Sequence, residues 1–334
     1  MSKSTNSGIE PDLTKRSKRI EQPRVDMKDL GILGGLLAIV LYLSLSTTTF
    51  LTGQNIVNVL DQAVMVGLVG AGATLCIVSG VFDLSAGATL ALSAISGVYL
   101  TNIFDVLGGF IGALIVGGFL GGLTGFLIVV TRVNAFIGSL AISIIYRGAA
   151  VVLTGGMIVS PGHVKEQFRV WAQPVLFGLT AGTLLMFAVF ILLGIMLWGT
   201  TYGRRIYAVG GNIEAARLSG IRTPLIHISV FAVSGVCAAA AGMVLASRAG
   251  SAQPAMATGV ELTAIAAVVI GGTSILGGVG AVWRTLVGVT ILTVIGNGFN
   301  LLRWDTTYQQ VVTGTLILLA VATDGWISRQ LRRR

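Results

Sequence analysis

The sequence predicts an all-α polytopic membrane protein of about ten transmembrane helices, with glycine-interrupted helices in both halves. Three observations lead there. Apolar residues fill 54% of the 334 positions and charged residues only 10%, a balance that an ordinary soluble domain does not carry. Glycine occurs 46 times, which suits helices that pack in lipid by close backbone approach rather than by a hydrophobic drive. The apolar residues are also gathered into runs of roughly 20, the length a helix needs to cross the hydrocarbon core.

In chain order, residues 1–28 are polar and charged, carry Pro11 and Pro23, and read as a disordered cytoplasmic tail. The apolar run that follows lacks a small-residue cleavage site and is expected to be a retained first span. Spans are placed near 30–50, 62–82, 85–102, 108–130, 135–154, 176–198, 226–246, 262–281, 285–302 and 309–326. Residues 29–328 thus form one transmembrane domain, and 329–334 a basic cytoplasmic tail. Gly117, Gly121 and Gly125 recur every fourth residue and offer a neighbouring helix one smooth face. Two stretches, Ile77–Gly87 and Val269–Gly280, set glycines and small polar residues amid apolar runs in opposite halves of the chain. Paired interruptions of this kind point to a transport site between pseudo-repeats; two tight turns between consecutive spans would look the same.

Basic residues are distributed unevenly. With the N-terminus inside, that side holds seven in the tail, Arg132, four in the 199–225 loop, Arg284 and four at the C-terminus. The other side holds Lys165, Arg169, Arg248 and Arg303. The asymmetry predicts both termini and the central loop on the cytoplasmic side of the membrane. It also assigns the net charge of +9 to anionic membrane lipids rather than nucleic acid, for which there is no aromatic and basic platform.

Several chemistries are missing. No glycine-rich run leads into Lys-Ser or Lys-Thr, so a phosphate-cradling loop is absent. No His, Cys or carboxylate cluster has metal spacing, and no nucleophile sits beside a base, so neither catalytic nor metal residues nor a bound cofactor are expected. Cys76 and Cys237 lie in apolar runs and read as small hydrophobes. Ionisable groups inside the spans are few, namely Asp83, Arg147 and Glu261, with Asp61 and Arg284 near span ends. With no carboxylate relay, a solute crossing here is expected to be uncharged and recognised by hydroxyls and amides. Thr74, Ser79, Asp83, Ser85, Thr273, Ser274, Asn297 and Asn300 are the candidate path residues, although Ser and Thr commonly bond their own helix instead.

The polar stretch 200–224 interrupts the apolar pattern with Arg204, Arg205, Glu214, Arg217 and Arg222. It reads as a short helix with its own stops. Asn212 caps the start, Glu214 suits the positive end of the dipole, Ala215, Ala216 and Arg217 favour helix, and Gly220 and Pro224 end it. A solvated connector is the bland reading of such a rod.

These residues resemble the ribose-type permeases of bacterial ATP-binding-cassette importers for monosaccharides, in the branched-chain amino acid/ribose permease superfamily. The likeness runs from about Phe50 to Asp324 and is most specific over Tyr202–Ile221. Asp83-Leu-Ser-Ala-Gly87, Leu153-Thr-Gly-Gly156, Glu261–Ser274 and Asn297-Gly-Phe-Asn300 support it. The resemblance implies the membrane subunit of an ATP-driven importer, with ATP hydrolysed in a separate partner. The implied partners are a cytoplasmic ABC ATPase subunit, an extracytoplasmic (periplasmic) sugar-binding protein, and a second permease copy or homologue. Asn212, Glu214, Ala215, Ala216, Arg217 and Gly220 would then form the segment coupling the ATPase to the spans. The chain departs from the family pattern at Gly80-Val81, Asn134-Ala135 and Arg284. The other reading is a self-sufficient facilitator or secondary carrier for a small neutral solute.

Overall fold

The computed structural model describes residues 27–305, 307–309, 311–315, 318 and 322. Twelve helices are found among them. They are α1 (Met27–Ser46), α2 (Gly53–Val78), α3 (Ala86–Ile103), α4 (Val106–Thr131), α5 (Ala135–Thr154), α6 (Lys165–Phe168), α7 (Ala181–Gly199), α8 (Thr201–Gly211), α9 (Ile213–Leu218), α10 (Thr223–Ala249), α11 (Val260–Ile270) and α12 (Val282–Leu301). Residues 307–309 and 311–315 are also helical. Seven of the described helices are long and apolar enough to cross a membrane, and α1 and α11 add shorter apolar stretches. The protein is therefore an all-α polytopic membrane protein. Most of the tenth expected span, and both tails apart from Met27 and Lys28, lie outside the described residues.

Helix α10 is the central post, packed most extensively on α4 and then on α2 and α3. The α4 seam is the glycine face expected from sequence. A Cβ at Gly125 would sit 2.8 Å from the Ile228 Cα, and one at Gly117 or Gly121 would run into the carbonyls of Gly235 and Phe231. Backbones this close leave no room for side chains, so dispersion between main chains replaces them. Away from this seam the outward faces of α4, α5 and α7 expose Phe119, Ile144 and Ile195, as helices bathed in lipid do.

Three boundaries differ from the expectation. Helix α2 begins nine residues before the predicted 62, because its polar first turns find partners. Asn55 exchanges amide hydrogen bonds with Asn297 at 2.9 and 3.0 Å, and Asp61 accepts from the Thr180 and Thr183 hydroxyls at 2.5 and 2.6 Å. The predicted span 176–198 begins at Ala181, after a short antiparallel hairpin of β1 (Pro174–Leu176) and β2 (Leu179–Thr180). The predicted span 262–281 is a correction of substance. Helix α11 covers only 11 residues and stops at Ile270, and 271–281 return without helix.

Both interruptions start with the same device. At the end of α2 the Gly80 N–H bonds the Ile77 carbonyl and the Val81 N–H bonds that of Cys76. At the end of α11 the Gly272 N–H bonds Val269 and the Thr273 N–H bonds Val268. In each, glycine takes a left-handed φ of +86°, which satisfies two orphan carbonyls and turns the chain out of the helix. The two breaks, residues 79–85 and 271–281, are therefore the same structural event in opposite halves.

Candidate functional site

The central polar stretch is two helices joined at one residue. Thr200 accepts from the Gly203 N–H at 3.1 Å and starts α8, a helix missed in the sequence reading because Gly203, Gly210 and Gly211 are poor helix formers. The signal was present in Gly203, Ile206 and Val209, whose three-residue spacing buries one face while Arg204 and Arg205 stay exposed. Asn212 serves both helices. Its N–H donates to the Ala208 carbonyl at 3.1 Å to close α8, and its side-chain oxygen accepts from the Ala215 N–H at 3.0 Å to open α9.

Gly220 ends helix α9 as expected, but Pro224 does not hold the chain out of helix: it sits in the first turn of α10, where its missing N–H has no helical partner to lose. The Gly220 N–H bonds the Arg217 carbonyl and the Ile221 N–H bonds that of Ala216, both at 3.0 Å, with Gly220 at φ +81°. The same paired bonds that end α2 and α11 thus end α9. Its residues divide by face. Ala216 is buried against the body of the protein, whereas Ala215, Glu214 and Arg217 are exposed. Glu214 and Arg217 pair at 3.7 Å, both well exposed to solvent, a contact of small energetic weight. Ile213 is 46% and Leu218 84% exposed, so this short polar rod carries two uncovered apolar side chains.

A cleft lies on each side of α9. One, of about 690 Å³, is lined by Phe82, Arg132, Asn134, Glu214, Arg217 and His227. The other, of about 790 Å³, is lined by Arg204, Arg205, Gly220 and Arg222. The rod therefore stands proud at one end of the bundle. Its base is tied in by Tyr202, whose hydroxyl meets that of Ser229 at 2.6 Å, and by Tyr207, which donates to the Gly280 carbonyl at 2.6 Å. Burial holds the Tyr207 phenol above the ordinary tyrosine range.

The candidate path residues are not gathered in one cavity. Asp83, Ser85 and Ser79 lie in the first break and its helix end. The Ser85 N–H and hydroxyl donate to one Asp83 oxygen at 2.9 and 2.6 Å, and Ser234 of α10 donates to the other at 2.7 Å. Ser139 of α5 accepts from the Leu84 N–H at 3.0 Å, so two neighbouring helices strap this break. Ser79 bonds the Cys76 carbonyl. Thr74 meets Thr285 at 2.6 Å across α2 and α12. In the second break Ser274 accepts from the Leu276 N–H at 3.3 Å, and the Thr273 hydroxyl is buried without a hydrogen-bond partner. Asn297 is bound to Asn55 at the opposite end, and Asn300 is exposed there. Ser234, Ser139, Thr285 and Asn55 were not singled out from sequence, because only tertiary contact distinguishes them from other polar residues within spans. Arg147, inside α5, donates to the Pro254 and Met256 carbonyls at 2.5 and 2.8 Å. Arg284 lies 5.6 Å from the ring of its neighbour Trp283.

The sequence of this chain matches a known family. The family described as "Branched-chain amino acid transport system / permease component" matches residues 55–321. The chain is 38% identical to the ribose import permease protein RbsC of Bacillus subtilis, over 93% of its own length and 97% of that protein's. It is 38% identical to the D-allose transport system permease protein AlsC of Escherichia coli, over 86% of this chain and 88% of that one. It is 36% identical to the L-arabinose transport system permease protein AraH of Escherichia coli, over 80% and 81%.

Proposed function

Because this chain belongs to the branched-chain amino acid transport system / permease component family, we propose that it imports a monosaccharide or similar neutral polyol as the membrane subunit of an ATP-driven complex. The observation that carries the reading is near full-length similarity to permeases named for three different sugars. A cytoplasmic ATPase supplies the energy, an extracytoplasmic binding protein delivers the sugar, and a second permease copy or homologue completes the membrane unit. Both termini and the α8–α9 rod face the cytoplasm, in keeping with the skew of basic residues toward that side.

In this reading α9 is the coupling element. Ile213 and Leu218, uncovered on a capped rod between two clefts, are the apolar contacts offered to the ATPase. Asn212 and Gly220 hold the rod's ends, Ala216 seats it on the spans, and Glu214, Ala215 and Arg217 face the partner. The path passes the two breaks, where Thr74, Ser79, Asp83, Ser85, Thr273 and Ser274 line or brace it, and opens near Asn297 and Asn300.

The test is uptake of radiolabelled D-ribose, D-allose and L-arabinose by liposomes holding the complex co-purified from the native membrane. Uptake of one sugar that requires both internal ATP and the binding protein is expected. Flux by this chain alone, insensitive to ATP, would instead establish a facilitator.

A further inference from the structure

The end of α8, the first break and the second break meet at a single point made of glycine backbone. The Gly278 N–H donates to the Val78 carbonyl at 2.9 Å, joining the second break to the last residue of α2, where the first break begins. A Cβ on Gly277 would lie 2.8 Å from the Gly210 oxygen and 2.9 Å from the Gly80 Cα. One on Gly278 would lie 2.7 Å from the Gly211 Cα, and one on Gly80 would be 3.6 Å from the Gly210 Cα. One on Gly210 would strike the Val78 carbonyl and stand 2.7 Å from the Gly278 nitrogen. Every neighbour in these contacts is main chain, which cannot swing aside as a side chain does. Tyr207, one turn earlier on α8, adds its hydrogen bond to Gly280 in the same break.

The position matters because Gly210 and Gly211 directly precede Asn212, the shared cap from which α9 springs. Displacement of α9 reaches Gly210 through Gly211 and Asn212, the latter hydrogen-bonded to both helices. From Gly210 it reaches both helix interruptions through backbone contacts with no compliant layer between.

We propose that Gly80, Gly210 and Gly277–Gly278, with Tyr207, form a transmission joint that moves both interrupted helices together when the coupling rod is displaced. Their role here is positioning. The inference rests on the ATP-driven reading above. It adds that the force is divided between the two halves of the chain at this joint, before it enters the long spans. The Thr74–Thr285 contact ties the helices flanking the two breaks about one turn further along α2, which favours their moving as a pair.

The test uses the co-purified complex in liposomes, scoring moles of sugar taken up per mole of ATP hydrolysed, and subunit stoichiometry after purification. In Gly210→Ala the assembled complex is expected to hydrolyse ATP at or above the unaltered rate while uptake per ATP falls at least fivefold. An unchanged ratio in an assembled Gly210→Ala complex overturns the joint. If Gly210→Ala does not assemble, Tyr207→Phe decides, since it removes one hydroxyl and leaves the glycine contacts in place. A twofold or greater fall in uptake per ATP with hydrolysis retained supports the joint, and an unchanged ratio overturns it. The two levels separate cleanly. ATP-independent uptake by the unaltered complex sinks the ATP-driven reading and the joint with it, whereas normal coupling in the variants sinks the joint alone.

Discussion

Asn212 shows how much one residue can decide. Its amide closes α8 and its side chain opens α9, so the angle between the helices is set at a single position. Replacing it with alanine leaves the Ala215 N–H uncapped at a cost of about 1 kcal/mol, enough to fray a six-residue helix. Asn212→Ala is expected to assemble with the partner ATPase yet lower uptake per ATP severalfold. Wild-type coupling would show that the rod needs no cap. The Asn55–Asn297 pair makes a different prediction, since both amides are buried. Asn55→Leu leaves the Asn297 amide unpaired and should cost about 1–3 kcal/mol, read as a lower thermal midpoint in detergent. The double variant with Asn297→Leu is expected to recover part of that loss, because it removes the unpaired amide and leaves only the Phe50 carbonyl, which accepts from the Asn55 amide at 2.9 Å, without its donor.

The seam between α4 and α10 makes the prediction at the scale of whole elements. Gly121 touches the Phe231 carbonyl, and a valine there must push the helices apart along their length. Gly121→Val should therefore fail to accumulate folded protein, whereas Gly148→Val, where nothing lies within 4 Å, should accumulate normally. Comparable expression of the two would mean that the seam is looser than its geometry. At the end of α9 the constraint is conformational instead. Gly220 has open space around it but a φ of +81°, so Gly220→Val strains the terminal turn without a clash. Loss of coupling with retained assembly is the expected outcome, measured as ATP hydrolysis that no longer drives uptake.

Across the whole molecule the arrangement is asymmetric. One end carries the rod, its two clefts and the joint beneath them. The other end is tied by polar clasps, namely Asn55 with Asn297, Asp61 with Thr180 and Thr183, and the paired backbone bonds between Val159 and Ala252. Orientation is the prediction at this scale. In Leu218→Cys, with the buried Cys76 and Cys237 replaced by serine, an impermeant thiol reagent should react in inside-out vesicles from cells lacking the partner ATPase and not in intact cells. The reverse pattern would place the rod outside and remove its proposed partner.

Composition and apolar run length were sufficient for the all-helical membrane architecture, because spanning lipid requires every backbone group to be bonded within the chain. The capped rod was equally legible, since Asn212, Glu214 and Gly220 act on backbone groups within a few residues of themselves. The two interruptions were visible as glycines and small polar residues set amid apolar runs, for the same local reason. Tertiary structure alone decided the rest. It showed that α11 stops halfway, that Asp83 bonds Ser234 of α10, and that Gly80, Gly210 and Gly277, up to 197 residues apart in sequence, share one point. Close approach of distant backbones leaves only a glycine behind in the sequence, and among 46 glycines those at the joint carry no mark of which neighbour they were kept small to admit.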